Sequence, residues 1–175
     1  MCLEGDSLNS TSYVLAVILA AGEGKRMYSK KPKVLHEICG KAMVQHVVDC
    51  AREAGVSETV VVIGHGASQV QDKLKDVKFA YQEQQLGTGH AMMQAESYIK
   101  SGEVLVLYGD TPLLTPETID KMYQFHKQEG FHATVLTADM DNPFSYGRII
   151  RDSEGKVVAI IEERMRIRSK KRLRK

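Results

Sequence analysis

Residues 14–27 read VLAVILAAGEGKRM, and the rest of the chain is interpreted from this stretch. Its first six residues are aliphatic without a polar break, which is typical of a strand buried on both faces of a parallel sheet. Two alanines, the pair Gly22 and Gly24, and the cations Lys25 and Arg26 follow. Glycines let backbone N–H groups turn towards an anion, so the stretch predicts a phosphate-binding loop at the carboxyl end of a sheet.

Two common phosphate-binding loops do not fit this stretch. The dinucleotide fingerprint requires a third glycine where Met27 stands, and the ATP-binding P-loop requires serine or threonine where Arg26 stands. An ordinary glycine turn after a strand remains the alternative. Arg26 and the later Lys33 favour the anion site, because both cations follow the same strand end.

Length and composition indicate one soluble globular domain. The chain has 175 residues, of which 43% are hydrophobic and 26% charged. Its three cysteines form an odd set without metal-ligand spacing, which indicates reduced thiols and a cytoplasmic location. No apolar run reaches the ~20 residues of a membrane span, so we expect no membrane partner. Residues 1–12 lack the basic start of a secretion signal, and we expect a flexible leader.

The net charge of +2 is distributed unevenly. Residues 164–175 contain eight of the 24 Lys and Arg and none of the 22 Asp and Glu, so the remainder carries 16 basic against 22 acidic residues, a net charge of −6. Eight cations in twelve residues repel one another, which predicts a disordered basic tail. The tail has no aromatic residue to stack on a base, so we expect no specific nucleic-acid partner.

Apolar runs alternate with helical patterns along the chain. A helix is predicted from Met43 to Ala54, ending at Gly55, and a second over residues 68–75, with strands at 59–63 and 77–81. This alternation predicts an α/β fold, a Rossmann-like, mostly parallel sheet flanked by helices. Later predicted elements are a buried strand at 104–108, a helix at 115–129, a strand at 132–138, and a hairpin formed by 146–151 and 156–162.

A polar loop, QEQQLGTGH at residues 82–90, precedes a helix predicted over residues 91–100. A side-chain amide can read the edge of a nucleobase because it carries both a donor and an acceptor. Thr88 can offer its hydroxyl at the helix start, where backbone N–H groups are free. A simple polar loop with a helix cap is an equally good interpretation from spacing alone.

Asp110 follows the predicted strand at 104–108, directly after Gly109. Mg²⁺ binds few carboxylates together with phosphate oxygens and waters, so one aspartate at a strand tip is a suitable partial ligand set. An aspartate that only forms a turn is the alternative, and convergence with the glycine loop on one sheet edge favours the metal.

Pro32 lies inside the basic segment 30–33, fixes its own φ and restricts the preceding Lys31 to extended geometry, which would direct Lys33 reproducibly. A solvated turn is an equally good interpretation of this segment taken alone.

Four motifs, in this order, resemble those of sugar-phosphate nucleotidylyltransferases: LAAGEGKRM at 19–27, PKVL at 32–35, QLGTGHA at 85–91 and LYGDTPL at 107–113. Together they are similar to the N-terminal uridylyltransferase domain of bacterial bifunctional UDP-N-acetylglucosamine pyrophosphorylases/glucosamine-1-phosphate N-acetyltransferases, over about residues 13–163. The resemblance implies an enzyme that converts UTP and N-acetylglucosamine 1-phosphate into UDP-N-acetylglucosamine and pyrophosphate, with Mg²⁺ as cofactor. This reaction would serve the synthesis of peptidoglycan precursors.

The resemblance also implies roles for single residues. Arg26 and Lys33 would act on the phosphates as catalytic residues, and Asp110 would coordinate Mg²⁺. The uridine would be held by Leu19, Ala20, Ala21, Gly22, Gln82, Gly87 and Thr88. The N-acetylglucosamine would face Tyr108, Gly109, Gly147 and Glu162.

The chain departs from the family in two respects. Lys25 stands where the family often has threonine. The family sheet continues beyond this chain with two asparagines, one at the sugar and one at the metal, followed by an acetyltransferase β-helix through which the family trimerises. We therefore expect a truncated domain, 13–163, with an exposed strand edge and apolar surface, followed by the tail 164–175, as after a shifted reading frame or in a fragment. A nucleotide-binding remnant with little or no turnover is the alternative, and the oligomeric state is left open.

Overall fold

The computed structural model describes residues 13–24, 27–100, 102–144 and 146–161. The described residues divide into two compact units, one ending at Thr134 and the other beginning at Val135. The described elements of the first unit are β1 (Val14–Leu19), β2 (Glu37–Ile38), β3 (Lys41–Ala42), α1 (Met43–Glu53), β4 (Glu58–Ile63), α2 (Ala67–Lys73), β5 (Lys78–Tyr81), α3 (Thr88–Met93), β6 (Glu103–Tyr108) and α4 (Pro116–Glu129), with 3-10 turns at Lys33–Leu35 and Glu96–Tyr98. The second unit contains β7 (Arg148–Arg151) and β8 (Val157–Ile161).

The first unit is built on a four-stranded sheet in the order β5-β4-β1-β6, and every neighbouring pair is parallel. The chain runs outward from β1 through β4 to β5, and then crosses to the other side of β1 to form β6. Helices connect these parallel strands, as such crossovers require. The prediction of a Rossmann-like, mostly parallel sheet flanked by helices is confirmed.

The central strand β1 is buried on both faces. Val14, Ala16 and Ile18 belong to a core cluster with residues of α1, α2 and α4, whereas Leu15 and Val17 belong to a second cluster with Ala91 of α3. Successive side chains of a strand point to opposite faces, so helices on both sides of the sheet explain the unbroken apolar run. The prediction that this apolar run forms a strand buried on both faces of a parallel sheet is confirmed.

The edge strand β6 is covered on one face only. Leu105 and Leu107 are buried, but Val104, Val106 and Tyr108 are 36%, 43% and 50% exposed. The prediction of a fully buried strand is therefore wrong for one face. The physical reason is that β6 lies at the end of the sheet and that α3, the helix on this face, packs over β1.

Two helices end where their local sequence predicts. In α4 the Thr115 hydroxyl accepts a hydrogen bond from Thr118 N, Pro116 occupies the first turn, and Gly130 ends the helix at φ +64°. Gly55 follows α1 at φ +88°. Capping is decided by contacts within one turn, so these ends are readable from sequence. α2 and β5 also lie within about two residues of their predicted bounds.

Two predicted elements are wrong. Residues 132–138 form no strand, because they are almost entirely exposed and have no described strand beside them to complete a ladder. The helix predicted at 91–100 begins earlier, at Thr88, and ends at Met93, before the short 3-10 turn. Gly87, at φ +107°, occupies the cap position without a side-chain hydrogen bond, so Thr88 does not cap this helix.

The second unit contains the predicted hairpin. β7 and β8 pair antiparallel, and the Asp152 carboxylate accepts hydrogen bonds from Glu154 N and Lys156 N in the turn between them. In the described ranges, no helix combines the length and apolar character that crossing a membrane requires. Residues 1–12 and 164–175 lie outside the described residues, so the leader, the tail and the domain limits remain predictions.

Gly102 precedes β6 at φ +96°, and a Cβ added there would lie 2.2 Å from the Tyr13 carbonyl oxygen. We expect Gly102→Ala to lower the free energy of unfolding by about 3 kcal/mol or more, because overpacking is added to a positive-φ penalty. Gly130→Ala is the matched control, since φ is +64° but no atom lies within 4 Å of its added Cβ. It should cost only about 1 kcal/mol in urea denaturation. Equal losses for both variants would contradict the packing argument.

Candidate functional site

The carboxyl ends of β1 and β6 meet at one point of the sheet. Leu19 pairs with Tyr108, and Gly109 N donates to the Leu19 carbonyl at 3.0 Å. Residues 20–22 and Gly109-Asp110 therefore leave the sheet side by side. The strand order reverses between these two strands, which is where open α/β sheets form a ligand crevice.

Small residues keep this crevice open. A Cβ added to Gly109 would lie 3.3 Å from both Ala20 Cβ and Val34 Cγ1, so the glycine permits close packing of the two strand tips. A Cβ added to Gly22 would meet no heavy atom within 4 Å. The backbone at Gly22 is thus accessible to a ligand, as the sequence predicts for a phosphate-binding turn.

Lys33 and Asp110 form an ion pair at this edge. Lys33 Nζ lies 2.5 Å from Asp110 Oδ2, with side-chain exposures of 35% and 33%. Lys33 opens the 3-10 turn that follows Pro32, whose φ is −50°. Gly24, at φ +61°, lies against the lysine stem, since an added Cβ would be 2.7 Å from Lys33 Cβ. The glycine loop therefore packs directly over the lysine.

Gln82 lies next to the same loop. It follows β5, is 4% exposed, and its backbone N donates to the Ile63 carbonyl at 2.8 Å. Its side-chain Nε2 donates to the Gly87 carbonyl at 3.1 Å. A Cβ added to Gly64 would lie 2.8 Å from Gln82 O and 3.1 Å from Ala21 Cβ. Gly64 therefore allows the β1 loop and the glutamine loop to approach each other.

Sequence reasoning did not identify Gly64 as part of the site. The signal was present, because a glycine directly follows the apolar strand β4. That signal could not reveal which loops the glycine separates. A cavity of about 280 Å³ adjoins this position, and its walls are formed by Gly64, His65, Tyr81, Gln82, Glu83 and Gln85.

The remaining predicted residues fall into three groups: those in the first unit, one in the second unit, and those outside the described residues. Tyr108 is half exposed at the tip of β6, its carbonyl accepts a hydrogen bond from the Thr111 hydroxyl at 2.7 Å, and Thr88 is exposed in the first turn of α3. Gly147 precedes β7 in the second unit. Arg26 and Glu162 lie outside the described residues. The structure thus brings together Leu19–Gly22, Lys33, Tyr108–Asp110 and Gln82, with Gly87 joined to Gln82 by a hydrogen bond.

The described side chains offer one carboxylate rather than a complete metal centre at this edge. No group of three or more His, Cys, Asp or Glu occurs within the described ranges. Cys50 supplies no nucleophile, because burial raises the pKa of its thiol to about 11 and keeps it protonated at neutral pH. The side chains at this edge, the Lys33 ammonium and the Asp110 carboxylate, offer charge stabilisation and positioning.

A solved structure with the same fold is HddC from Yersinia pseudotuberculosis. It superposes with a TM-score of 0.64 at 22% sequence identity, covering 85% of this chain and 68% of HddC. At this identity the likeness shows the fold, and it agrees with the parallel sheet and its flanking helices.

Comparison of the sequence with curated proteins finds relatives of much higher identity. The Bifunctional protein GlmU of Caldanaerobacter subterraneus subsp. tengcongensis is 52% identical over 163 residues, 92% of this chain and 36% of that protein. The GlmU of Lactobacillus delbrueckii subsp. bulgaricus is 54% identical over 151 residues, which are 85% of this chain and 33% of that protein. The chain spans about a third of the length of these curated relatives. The model of the MobA-like NTP transferase domain matches residues 16–169, so the chain belongs to that family and is a homologue of GlmU.

Proposed function

We propose that this chain binds UTP and N-acetylglucosamine 1-phosphate and transfers the uridylyl group between them. The observation that carries the proposal is the Lys33–Asp110 pair, at 2.5 Å, beside the open glycine turn at the strand-order reversal. A cation, a carboxylate and accessible backbone N–H groups are the parts that phosphoryl transfer requires. The identity to GlmU proteins supports the choice of uridine and of this sugar phosphate.

The nucleotide would lie along the turn after β1. Backbone groups of residues 19–22 would hold the uridine and its phosphates, since accessible N–H groups bind anions. The Gln82 amide, with Gly87 and Thr88, would complete the uridine site from the neighbouring loop. Gly64 supports this arrangement, because its missing side chain lets Ala21 and Gln82 lie close together.

The sugar phosphate would lie on the β6 side of the crevice. Tyr108 and Gly109 are the candidates there. One anionic phosphate oxygen of N-acetylglucosamine 1-phosphate would attack the α-phosphorus of UTP in line. The bond from that phosphorus to the β-phosphate bridging oxygen breaks, and pyrophosphate leaves with the electron pair. The nucleophile is already anionic, so no general base is required.

Lys33 would stabilise the charge that develops on the phosphates, together with Arg26 as predicted from the resemblance. Asp110 fits a Mg²⁺ ligand, because it is a partly exposed carboxylate at a strand tip, and Mg²⁺ takes one or two carboxylates plus phosphate oxygens and waters. When bound, Mg²⁺ would neutralise triphosphate charge. Asp110 would hold the ion, and Lys33, which lies 2.5 Å from Asp110, would present its ammonium to a phosphate oxygen.

A second candidate is a nucleotide-binding chain without turnover. At this edge the described residues supply Asp110 as the carboxylate, the lower end of the one or two that Mg²⁺ takes, so weak ion binding would leave nucleotide binding without turnover. Both candidates share the uridine site, so they differ in pyrophosphate release and not in UTP binding.

Pyrophosphate release separates the two candidates. We expect the 175-residue chain to release pyrophosphate from UTP only when N-acetylglucosamine 1-phosphate and Mg²⁺ are both present. EDTA should stop the release, because Asp110 then has no ion to share with the phosphates. The readout is a coupled pyrophosphate assay, with heat-inactivated protein as the background. Binding of UTP without release above background would favour the chain without turnover.

Lys33→Met should lower kcat/KM by roughly 100-fold, because a charge that stabilises the transition state is lost. Lys31→Met is the matched control, since Lys31 lies in the same basic segment but pairs with Glu37 at 3.4 Å on the surface. It should retain the wild-type rate. Steady-state kinetics with both substrates provide the comparison. Equal rates for the two variants would contradict the role of Lys33.

Gly22→Ala and Gly24→Ala should separate binding from stability. At Gly22 an added Cβ has no neighbour within 4 Å, so we expect unchanged thermal stability but weaker UTP binding. At Gly24 the Cβ would meet Lys33 Cβ at 2.7 Å with φ +61°, so we expect a loss of about 2 kcal/mol in stability. Thermal melting and titration with UTP are the measurements. If the Gly22→Ala variant bound UTP as tightly as the wild type does, the nucleotide would not lie along this turn.

A further inference from the structure

The Gln82 amide is held in one orientation by two acceptors. Its Nε2 donates to the Gly87 carbonyl at 3.1 Å and lies 3.0 Å from His90 Nδ1. A backbone carbonyl oxygen can only accept, so the group facing Gly87 is the amide nitrogen and not the amide oxygen. The second hydrogen of that nitrogen is then available to His90 Nδ1, which accepts it in the neutral ring.

A second amide, that of Gln94 directly after α3, also lies beside His90. Gln94 Nε2 donates to the His90 carbonyl at 2.9 Å and lies 3.3 Å from His90 Nε2. A neutral imidazole has one acceptor nitrogen, so only one of the two neighbouring amides can donate to the ring. The shorter contact assigns that hydrogen bond to Gln82. His90 therefore acts on the Gln82 amide, and Gln94 is dispensable for that contact.

The remaining polar atom of Gln82 is its Oε1. Within the described part of the chain, no donor is hydrogen-bonded to Oε1, although Gln82 is only 4% exposed. If Oε1 were fully enclosed by protein, it would be a buried acceptor without a partner. Among the described side chains, His36 Nε2 is the only buried polar atom of that kind. Oε1 is therefore accessible, and Gln82 lines the cavity of about 280 Å³. Towards a ligand, this side chain presents an acceptor only.

We propose that His90 is a positioning residue that sets base selectivity by keeping the Gln82 oxygen turned towards the bound base. This inference rests on the proposed function. Uracil carries a hydrogen on N3 and can donate to that oxygen. Cytosine has a lone pair on N3, so two acceptors would face each other. A buried polar group left unpaired by the wrong ligand gives strong discrimination. His90 thereby favours a uridine over a cytidine nucleotide without touching either.

The test compares binding of UTP and CTP to the full 175-residue chain by competition against a fluorescent uridine nucleotide. Wild type should prefer UTP. His90→Phe keeps a ring but removes the acceptor, and we expect the ratio of CTP to UTP dissociation constants to fall about five- to tenfold, the effect of one orienting hydrogen bond. His90→Asn carries a carbonyl oxygen near the position of Nδ1 and should keep the ratio within about twofold. Gln94→Leu, directly after α3, is the matched control and should also keep the ratio.

If His90 had only a structural role, its replacement would weaken the binding of UTP and of CTP by the same factor. An unchanged ratio in His90→Phe would therefore overturn the inference, as would a Gln94→Leu ratio that falls equally. Should His90→Phe not fold, His90→Asn decides: a retained ratio supports the inference and a lost ratio overturns it. Equal binding of UTP and CTP by wild type overturns the inference alone. Binding of neither nucleotide contradicts the proposed function as well.

Discussion

The parallel register between β1 and β6 is the constraint on which the candidate site depends. Because Leu19 is paired with Tyr108, the loops that follow both strands start side by side, and their residues can face one ligand. The apolar sequence of β6 does not specify this register, since Val or Leu stands at every position from 104 to 107. Gly109 permits the observed register, because a Cβ there would lie only 3.3 Å from Ala20 Cβ and from Val34 Cγ1. The glycine at the strand tip thus allows the two tips to pack closely.

The Lys33–Asp110 pair then places opposite charges at this aligned edge before any ligand arrives. Both side chains are about one third exposed, so the pair contributes little to stability. In the proposed function its consequence is preorganisation: the ammonium would be held where an incoming phosphate can meet it, and the carboxylate where it could hold a cation. The loop at Gly24 covers the lysine stem and limits its other positions. Charge at the site is therefore positioned mainly by backbone packing.

The proposed uridine side of the site depends on a different kind of contact. Gln82, Gly87 and His90 lie within nine residues, and the amides and glycines there are visible in the sequence. Their spacing suggested that an amide could read a base, but it did not reveal which end of the amide would be presented. That depends on the positive φ of Gly87 and on α3 starting at Thr88, which together bring the Gly87 carbonyl and the His90 ring to one nitrogen. The predicted helix start at residue 91 would have hidden this arrangement.

Local interactions account for what could be read from the residues alone. The burial of β1, the cap at Thr115, the stop at Gly130 and the hairpin of β7 and β8 follow from contacts within a turn or from hydrophobic period. Other features depend on tertiary packing. Two concern secondary structure: the half-exposed face of β6 and the absence of a strand at 132–138. Two concern the candidate site: the closeness of Gly64 to Ala21 and Gln82, and the ion pair between Lys33 and Asp110, which are 77 positions apart in the chain. Such features depend on which segments become neighbours, and a residue's own flanking sequence carries no information about a partner that distant.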